Sequence, residues 1–207
     1  MGRPRAFEEL AVLDASTAQF RVHGFADTST EQLCAAAGVS RSSLYNAFVS
    51  KDELFVRSLE RHIARTLQEQ SGILTDAELS GERRLAALLD SVLDEEAEAR
   101  ERGHAAGCMI VATRMSPDIG EHDPRVAEML RRYQEDQVAL LAVAVEDGMA
   151  DESLRSDLSS SDAALLVVSA ISGIRVLSQS GSPVATLRAI AALHLDSLKY
   201  TAFAGKE

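Results

Sequence analysis

The chain has 207 residues, of which 46% are apolar and 26% are charged, and its formal net charge is −11. This length allows one large domain or two modest ones, and the apolar share is enough for a real core. The N-terminal segment MGRPRAFEEL lacks the apolar centre of a signal peptide, and we find no apolar run of the ~20 residues that span a membrane. We therefore expect a cytoplasmic protein without membrane contact, in which Cys34 and Cys108 are reduced thiols.

The acidic net charge argues against a nucleic-acid ligand until its distribution is considered. Residues 1–51 carry five basic and five acidic side chains, whereas residues 52–207 carry 16 basic and 27 acidic ones. The whole net charge therefore belongs to the second segment. The first 51 residues are the part of the chain in which charge does not oppose DNA binding.

A first helix is predicted over residues 6–23, because apolar positions recur there at helical spacing and Gly24 follows. A second helix follows Thr28. Thr28 is predicted to open a capping box, since Glu31, three residues later, can reach back to the backbone N–H of the cap. Gly38 stands where a helix ends in the left-handed conformation that a side chain disfavours.

The third predicted helix has one inward and one outward face. Ser40 caps it, and Leu44 and Phe48, which are four residues apart, point inward. The outward face carries hydrogen-bond donors, a phenol ring and an amide: Arg41, Ser42, Ser43, Tyr45 and Asn46. A short helix with such a face suits the major groove of DNA, so this segment predicts a helix-turn-helix.

A fourth helix is predicted from Ser50, which forms a capping box with Glu53, to about Gln70. After a loop over residues 71–80, a fifth helix covers residues 81–102, and its end, DEEAEARERG, is expected to be a solvated charged face. Further helices are predicted over residues 105–114, 123–147 (with Gly148 at the end), 162–178 and 183–203. About nine helices and no convincing strand make the predicted fold class all-α.

The segments Gly24-Phe25, Thr28-Ser29, AAAGVSRSSLYNAF and SKDELF resemble the TetR family of bacterial transcriptional regulators, over roughly residues 7–60. A bare helix-turn-helix match is weak evidence, but here glycine, caps, apolar residues and lysine all have the family's offsets. The resemblance implies a three-helix DNA-binding domain, residues 1–52, and a larger helical ligand-binding and dimerisation domain, residues 53–207. It also implies a homodimeric repressor that a small, largely apolar ligand releases from a palindromic operator.

The resemblance and the chemistry of the side chains indicate which residues meet DNA. Ser29, Thr30 and Lys51 are expected to hold phosphates, because hydroxyls, helix N-termini and lysines are common backbone anchors. Tyr45 looks like the family's phosphate-contacting tyrosine. Base edges are expected to meet Arg41, Ser42, Ser43 and Asn46, since arginine suits guanine and asparagine suits adenine. Asn46-Ala47 departs from the bulkier aromatic or histidine residues that are common in the family there.

A weaker resemblance to one TetR-family subgroup runs through GCMIV at 107–111, HDPRV at 122–126 and GIRVL at 173–177. It implies a ligand pocket among the fourth to eighth helices. The candidate pocket residues are Ile63, Leu67, Leu89, Leu93, Met109, Ile110, Arg114, Met129, Tyr133 and Arg175. Methionine adapts to irregular cavities, although each apolar candidate is individually better explained as plain core. Either arginine could meet an anionic ligand group or form a structural ion pair.

The last two predicted helices are rich in small side chains, and the eighth is apolar around almost its full circumference. Such a helix must be buried on all sides, which a two-fold four-helix interface would supply. The alternative is the centre of a monomeric bundle. We predict a homodimer through these two helices, because two-fold operators call for two-fold proteins.

Other functions remain as alternatives. His104, Cys108 and His122 match no standard zinc spacing, so we predict neither metal nor cofactor. Cys108 is expected to be small and buried, but a redox-responsive regulator acting through it is kept as an alternative, as is a helical ligand-carrier protein. We see no nucleophile–base pair or phosphate loop that indicates an enzyme. The basic arm of Arg3 and Arg5 either enters the minor groove or is disordered.

Overall fold

The computed structural model describes residues 5–101, 108–116 and 123–199. Across these ranges there are nine α-helices and no strand, only an isolated antiparallel bridge between Leu154 and Lys199. The helices are α1 (Arg5–His23), α2 (Thr30–Ala37), α3 (Arg41–Phe48), α4 (Lys51–Leu74), α5 (Gly81–Glu101), α6 (Met109–Arg114), α7 (Pro124–Ala150), α8 (Ser160–Gln179) and α9 (Val184–Leu198). The predicted all-α fold class is confirmed.

The chain forms two compact units. The first comprises Met1–Thr66 and Ala106–Arg132, and the second comprises Leu67–Ala105 and Tyr133–Glu207. Both α4 and α7 contribute residues to each unit. The predicted boundary between residues 52 and 53 concerns functional domains, and it stays a prediction.

In the first unit, α1 packs against α2 and α6, and α2 packs against α3. An aromatic cluster joins α1 to α4: the rings of Phe20 and Phe55 lie 5.1 Å apart at 83°, and Phe25 lies 4.9 Å from Phe55. Edge-to-face contacts of this kind suit the charge distribution of aromatic rings. The three phenylalanines therefore hold α1 and the turn that follows it against α4.

The second unit is built around the leucine-rich face of α5. Leu85, Leu88 and Leu93 are fully buried there, and α5 packs against α8 and α9. Apolar residues of α7 complete the same core. This face follows the helical spacing of apolar residues, which is why the sequence predicts it correctly.

Three helix ends differ from the sequence prediction. α9 ends at Leu198 instead of near residue 203, because the backbone of Lys199 is extended and forms the bridge with Leu154. α4 continues to Leu74 instead of ending near Gln70, because Leu74 belongs to the core of the second unit and Ile73 packs against that core. Gly148 does not end α7, which runs on to Ala150. A Cβ atom at Gly148 would lie 2.6 Å from Cδ1 of Leu154, so close packing explains this glycine.

The prediction of a solvated charged face at the end of α5 is confirmed for Asp94, Glu98 and Glu101, which are exposed, but it was wrong for Glu96. Glu96 is 0% exposed, and its Oε1 accepts a hydrogen bond of 2.6 Å from Nη1 of Arg175. Arg175 also donates to Glu95. The acidic run could not reveal this arrangement, because the arginine lies 79 residues further along the chain.

Among the described residues, one helix, Ser160–Gln179, is long and apolar enough to span a membrane by length and composition alone. Within its most apolar window, 44% of the residues are buried inside the protein. α8 packs against α5 and α9. The core helix of a water-surrounded protein passes the same test, so this feature is weak evidence for a membrane span.

Candidate nucleic-acid interface

Side-chain caps and one glycine build the corner between α2 and α3. Ser29 caps α2: its Oγ accepts from the N–H of Gln32 at 3.2 Å, and the Gln32 side chain accepts from the N–H of Ser29 at 2.7 Å. Gly38 ends α2 with φ +65°. The Oγ of Ser40 then accepts from the N–H of Ser43 at 3.1 Å. These bonds satisfy backbone groups that short helices leave open.

The predicted capping box of Thr28 and Glu31 was displaced by one residue. The box is formed by Ser29 and Gln32. Thr28 is buried, and its hydroxyl donates to the carbonyl of Gly24 at 2.5 Å, at the end of α1. Three consecutive residues carry a hydroxyl here, and because Thr28 is buried, Ser29 caps the helix.

The two faces of α3 are as predicted. Leu44 and Phe48 are buried. On the opposite side, four side chains are exposed: Arg41, Ser42, Ser43 and Asn46. Tyr45 is half-buried. The helix therefore presents a row of donors and acceptors to its surroundings.

Three of the predicted phosphate anchors lie beside α3. The hydroxyl oxygen of Tyr45 is 3.1 Å from Oγ1 of Thr30, so a hydrogen bond joins α3 to the first turn of α2. Lys51 begins α4, and its ammonium lies 4.4 Å from the ring centre of Phe25. This cation–π contact restrains the lysine while it stays half-buried. Ser29 is exposed next to Thr30.

The base-reading candidates have partners within the protein. Arg41 donates to Glu31 at 3.3 Å and lies over the Tyr45 ring at 5.7 Å. The Oγ of Ser40 is 2.9 Å from the hydroxyl oxygens of both Ser42 and Ser43. Arg41 would have to leave Glu31 to reach a base, which costs little because exposed ion pairs contribute about 1 kcal/mol or less.

Two ion pairs between α1 and α4 support the interface, and the sequence did not reveal them. Arg57 donates to Glu9 at 3.2 Å. Arg61 donates to both carboxylate oxygens of Asp14, at 2.8 and 2.9 Å. The hydrogen bonds from Arg61 lower the pKa of Asp14. Since the partners are 47 and 48 residues apart, no local spacing signals either pair.

The connection between α3 and α4 is strained. Val49 has φ +62° and ψ −50°, and the N–H of Ser50 donates to the carbonyl of Phe48 at 2.6 Å. These values describe a γ-turn with positive φ, a rare conformation. The Val49 side chain is 80% exposed. No residue pattern signals this strain, because the Val49 side chain has neither a charge nor a hydrogen-bonding group.

A cleft of about 250 Å³ lies where α1 meets α3. Its lining is mainly apolar and includes three polar side chains. The lining residues are Glu9, Val12, Val39, Ser43, Leu44, Asn46, Ala47 and Phe48. Ser43 and Asn46 therefore border both this cleft and the exposed face of α3.

The candidate ligand residues are divided between the two units. The first unit holds Ile63, Met109, Ile110, Arg114 and Met129. Met109 and Ile110 are buried, while Ile63 and Met129 are half-buried. Arg114 donates to the carbonyl of Leu130 at 3.1 Å, a contact that holds α6 against α7.

The second unit holds Leu67, Leu89, Leu93, Tyr133 and Arg175. Leu89, Leu93 and Tyr133 are buried, and both leucines belong to the core. Arg175 binds Glu95 and Glu96. Of the two roles left open for Arg175, the structural ion pair is the one observed.

Cys108 is half-buried, so the expectation that it is buried was wrong. It stands immediately before α6, and its carbonyl accepts from the N–H of Ala112 at 2.8 Å. His104 and His122 lie outside the described residues. Within the described ranges, no group of three histidine, cysteine or acidic side chains is arranged to hold a metal ion.

Two family models match the chain. The model of bacterial regulatory proteins of the tetR family matches residues 12–57, which include α2 and α3. The model of the tetracyclin repressor-like C-terminal domain matches residues 81–193.

Two curated relatives come from Escherichia coli strain K12. The HTH-type transcriptional repressor ComR is 32% identical over 58% of this chain and 57% of its own length. The HTH-type transcriptional repressor BdcR is 31% identical over 64% of this chain and 62% of its own length. The matched part of the chain thus spans about three fifths of these relatives.

Solved structures share the fold over nearly the whole chain. A TetR-family regulator from Agrobacterium tumefaciens has a TM-score of 0.82 at 15% identity and covers 94% of this chain and 99% of its own. Reduced E. coli NemR has a TM-score of 0.80 at 21% identity, covering 95% and 99%. A CifR cysteine mutant complexed with 26-base-pair operator DNA has a TM-score of 0.77 at 24% identity, covering 95% and 100%.

The N-terminal family model spans the capped corner and the exposed face of α3, and the C-terminal model alone covers more than half of the chain. The chain therefore belongs to the TetR family of bacterial regulatory proteins.

Proposed function

We propose that this protein is a homodimeric transcriptional repressor that binds a palindromic operator in double-stranded DNA and is released by a small, largely apolar ligand. The proposal rests mainly on the exposed polar face of α3, whose Tyr45 is hydrogen-bonded to Thr30. Lys51 follows α3 closely in the chain, at the start of α4. The names of ComR and BdcR as transcriptional repressors, and the operator complex of CifR, support this proposal.

In the proposed complex, phosphate contacts position α3 and side chains on its face read the bases. Thr30 and Tyr45 already share a hydrogen bond, so the pair offers one further hydroxyl proton to a phosphate. Lys51 adds a point charge beside them, and Ser29 adds a hydroxyl. Arg41 and Asn46 carry the groups that recognise guanine and adenine best, with Ser42 and Ser43 between them.

Dimerisation is proposed through α8 and α9. Each helix leaves apolar side chains exposed on the single chain: Leu165 and Val176 on α8, and Leu193, 69% exposed, on α9. Ala189 and Ala192 are exposed on α9 as well. Small and apolar side chains on neighbouring helices suit a two-fold interface, in which each surface faces its own copy.

Release by ligand is proposed to act through α4. This helix carries Lys51 in the first unit and Leu67 in the second. A shift of α4 on ligand binding would change the spacing of the two recognition helices, which must match one DNA turn, about 34 Å. A coupling of ~1–3 kcal/mol gives a 5–150-fold change in operator affinity.

The test is binding to the DNA that flanks the protein's own gene, followed by footprinting. We expect a protected palindrome. Lys51→Ala and Tyr45→Phe should weaken binding to all sequences, and Arg41→Ala should relax base preference. Arg83→Ala removes an exposed arginine of the second unit and is the matched control. A well-folded protein that selects no sequence from genomic fragments would contradict the proposal and favour a ligand carrier.

A second candidate function is a redox-responsive repressor acting through Cys108. Two observations favour it: the thiol is partly exposed, and a protein of the same fold has been solved in a form named as reduced. Hydrogen peroxide would oxidise the thiolate to a sulfenic acid, releasing hydroxide. Peroxide should then weaken operator binding of the wild type and of Cys34→Ser, but not of Cys108→Ser. Equal sensitivity of all three proteins would exclude this route.

A further inference from the structure

Val49 has a costly conformation and little contact with its own protein. It is β-branched, with φ +62°, and its side chain is 80% exposed. β-Branched residues rarely adopt positive φ, because the side chain crowds the backbone. A single exposed valine is common on protein surfaces and needs no explanation. A strained valine is different, because the exposed side chain gains no burial energy that would offset the cost of the strain.

The strained turn is held between two anchored helix ends. The N–H of Val49 donates to the carbonyl of Tyr45 at 2.9 Å, which keeps the last turn of α3 closed. Ser50 caps α4, and its Oγ accepts from the N–H of Glu53 at 3.0 Å. Glycine would adopt this γ-turn without crowding, so backbone geometry does not call for valine.

The sequence neighbours of Val49 are the residues proposed to meet DNA. Asn46 precedes it by three residues on α3, and Lys51 follows it by two. In helix-turn-helix proteins, the N-terminal residues of the recognition helix contact base edges. The C-terminal end of α3, where Val49 stands, is therefore closer to the sugar–phosphate backbone.

We propose that Val49 is a DNA-contacting residue whose isopropyl group packs on a deoxyribose of the operator backbone. The inference rests on the proposed function. A sugar ring presents apolar C–H surface between phosphates, which suits an apolar group beside Lys51. Such a contact neutralises no phosphate, so it adds affinity without releasing counterions.

Two substitutions separate the side chain from the backbone strain. Val49→Ala removes two methyl groups and keeps Cβ, whereas Val49→Gly removes the strain as well. We expect each to weaken operator binding by about three- to tenfold, as the loss of buried methyl groups predicts. Non-operator DNA should lose the same factor. The salt dependence should be unchanged, whereas Lys51→Ala should lower its slope by about one.

Thermal unfolding supplies an independent readout. Val49→Gly should raise the Tm by about 2–4 °C, since it relieves strain in a protein of this size, and Val49→Ala should not. Glu152→Gly is the matched control. Glu152 is the other non-glycine residue with positive φ among the described residues, at +61°, and it lies in the second unit. That variant should relieve strain without changing DNA binding.

If the wild-type protein binds its operator and both Val49 variants bind it equally well or more tightly, the inference is overturned and the proposed function is left intact. The Val49 variants could instead lose affinity only for operator DNA, and lose none when deoxyuridine replaces thymidine in that operator. That result would overturn the sugar contact, because it would show that Val49 contacts a thymine methyl group. Wild-type protein that binds no operator at all would contradict the proposed function itself.

Discussion

The helix-turn-helix and the helical body of the second unit are stabilised by contacts of different range. Around α2 and α3, the decisive hydrogen bonds join residues three apart, such as Ser29 with Gln32 and Ser40 with Ser43. In the second unit, buried charges join residues that are 79 apart, as in Arg175 with Glu96. Short-range contacts leave a pattern in the sequence, whereas long-range contacts appear only once the helices are packed.

The largest effect is expected from the buried pair. Arg175→Met would leave Glu96, a fully buried carboxylate, without its guanidinium partner. Breaking a buried pair in this way typically costs about 3–5 kcal/mol of unfolding free energy. Denaturant unfolding measures the loss.

Arg188→Met is the matched control for Arg175→Met, because Arg188 pairs with Asp94 on the exposed side of the same unit. It should cost about 1 kcal/mol or less. Replacing both Arg175 and Glu96 by methionine should restore most of the stability, since no charge is then left buried. Equal losses for Arg175→Met and Arg188→Met would remove the contrast between buried and exposed charges.

The next effect concerns backbone packing in the second unit. A Cβ atom at Gly81 would lie 2.3 Å from the backbone N of Gly148 and 2.4 Å from the carbonyl oxygen of Ala144. Gly81→Ala must therefore push α5 away from α7, and such overpacking costs about 1–3 kcal/mol.

Gly72→Ala is the control for Gly81→Ala, because its Cβ would meet nothing within 4 Å. Gly72 lies inside α4, so alanine there should stabilise the protein by about 0.5–1 kcal/mol. Denaturant unfolding should therefore show opposite signs for the two glycines. If both variants are more stable than the wild type, close packing does not explain Gly81.

Gly81 and Gly148 have a packing role that cannot be predicted from their positions in the sequence. A glycine near the end of a helical pattern reads as a stop signal, and Gly148 was interpreted in that way. Its actual role depends on Leu154, six residues later, and on Gly81, which only the packing of α5 against α7 brings near. Gly38 was predicted correctly, because a left-handed end of α2 needs no partner outside its own turn.

The candidate DNA interface shows the same limit within one motif. The exposed face of α3 followed from residue types and helical spacing alone. The hydrogen bond between Tyr45 and Thr30, and the position of Lys51 over Phe25, depend on how three helices meet. Val49 was passed over because its distinguishing property is a backbone angle.

A moderate effect is expected from the cap of α3. Ser40→Ala removes the acceptor for the N–H of Ser43 and should cost about 1 kcal/mol. Ser40→Asp keeps an acceptor and should retain most of the stability. Asn46→Ala, on the exposed side of the same helix, is the control and should not lower the Tm. Thermal unfolding of the four proteins tests whether short-range contacts stabilise this end, and equal Tm values would argue that they do not.

The smallest effect comes from the pair that joins α1 to α4. Hydrogen bonds from Arg61 lower the pKa of Asp14 below its ordinary value. Both side chains are more than a third exposed, so the pair should contribute less than about 1 kcal/mol. Because the folded pKa is the lower one, this stability is present above the unfolded value of about 3.9 and is lost as pH falls through the folded pKa.

The Tm difference between wild type and Asp14→Asn should therefore be largest near neutral pH and should shrink below about pH 4. Glu60→Gln, which removes an exposed acid on the same helix as Arg61, is the control for the loss of one acidic side chain. A difference that persists in acid would mean that Asp14 stabilises the first unit by its shape, because its charge would then be absent.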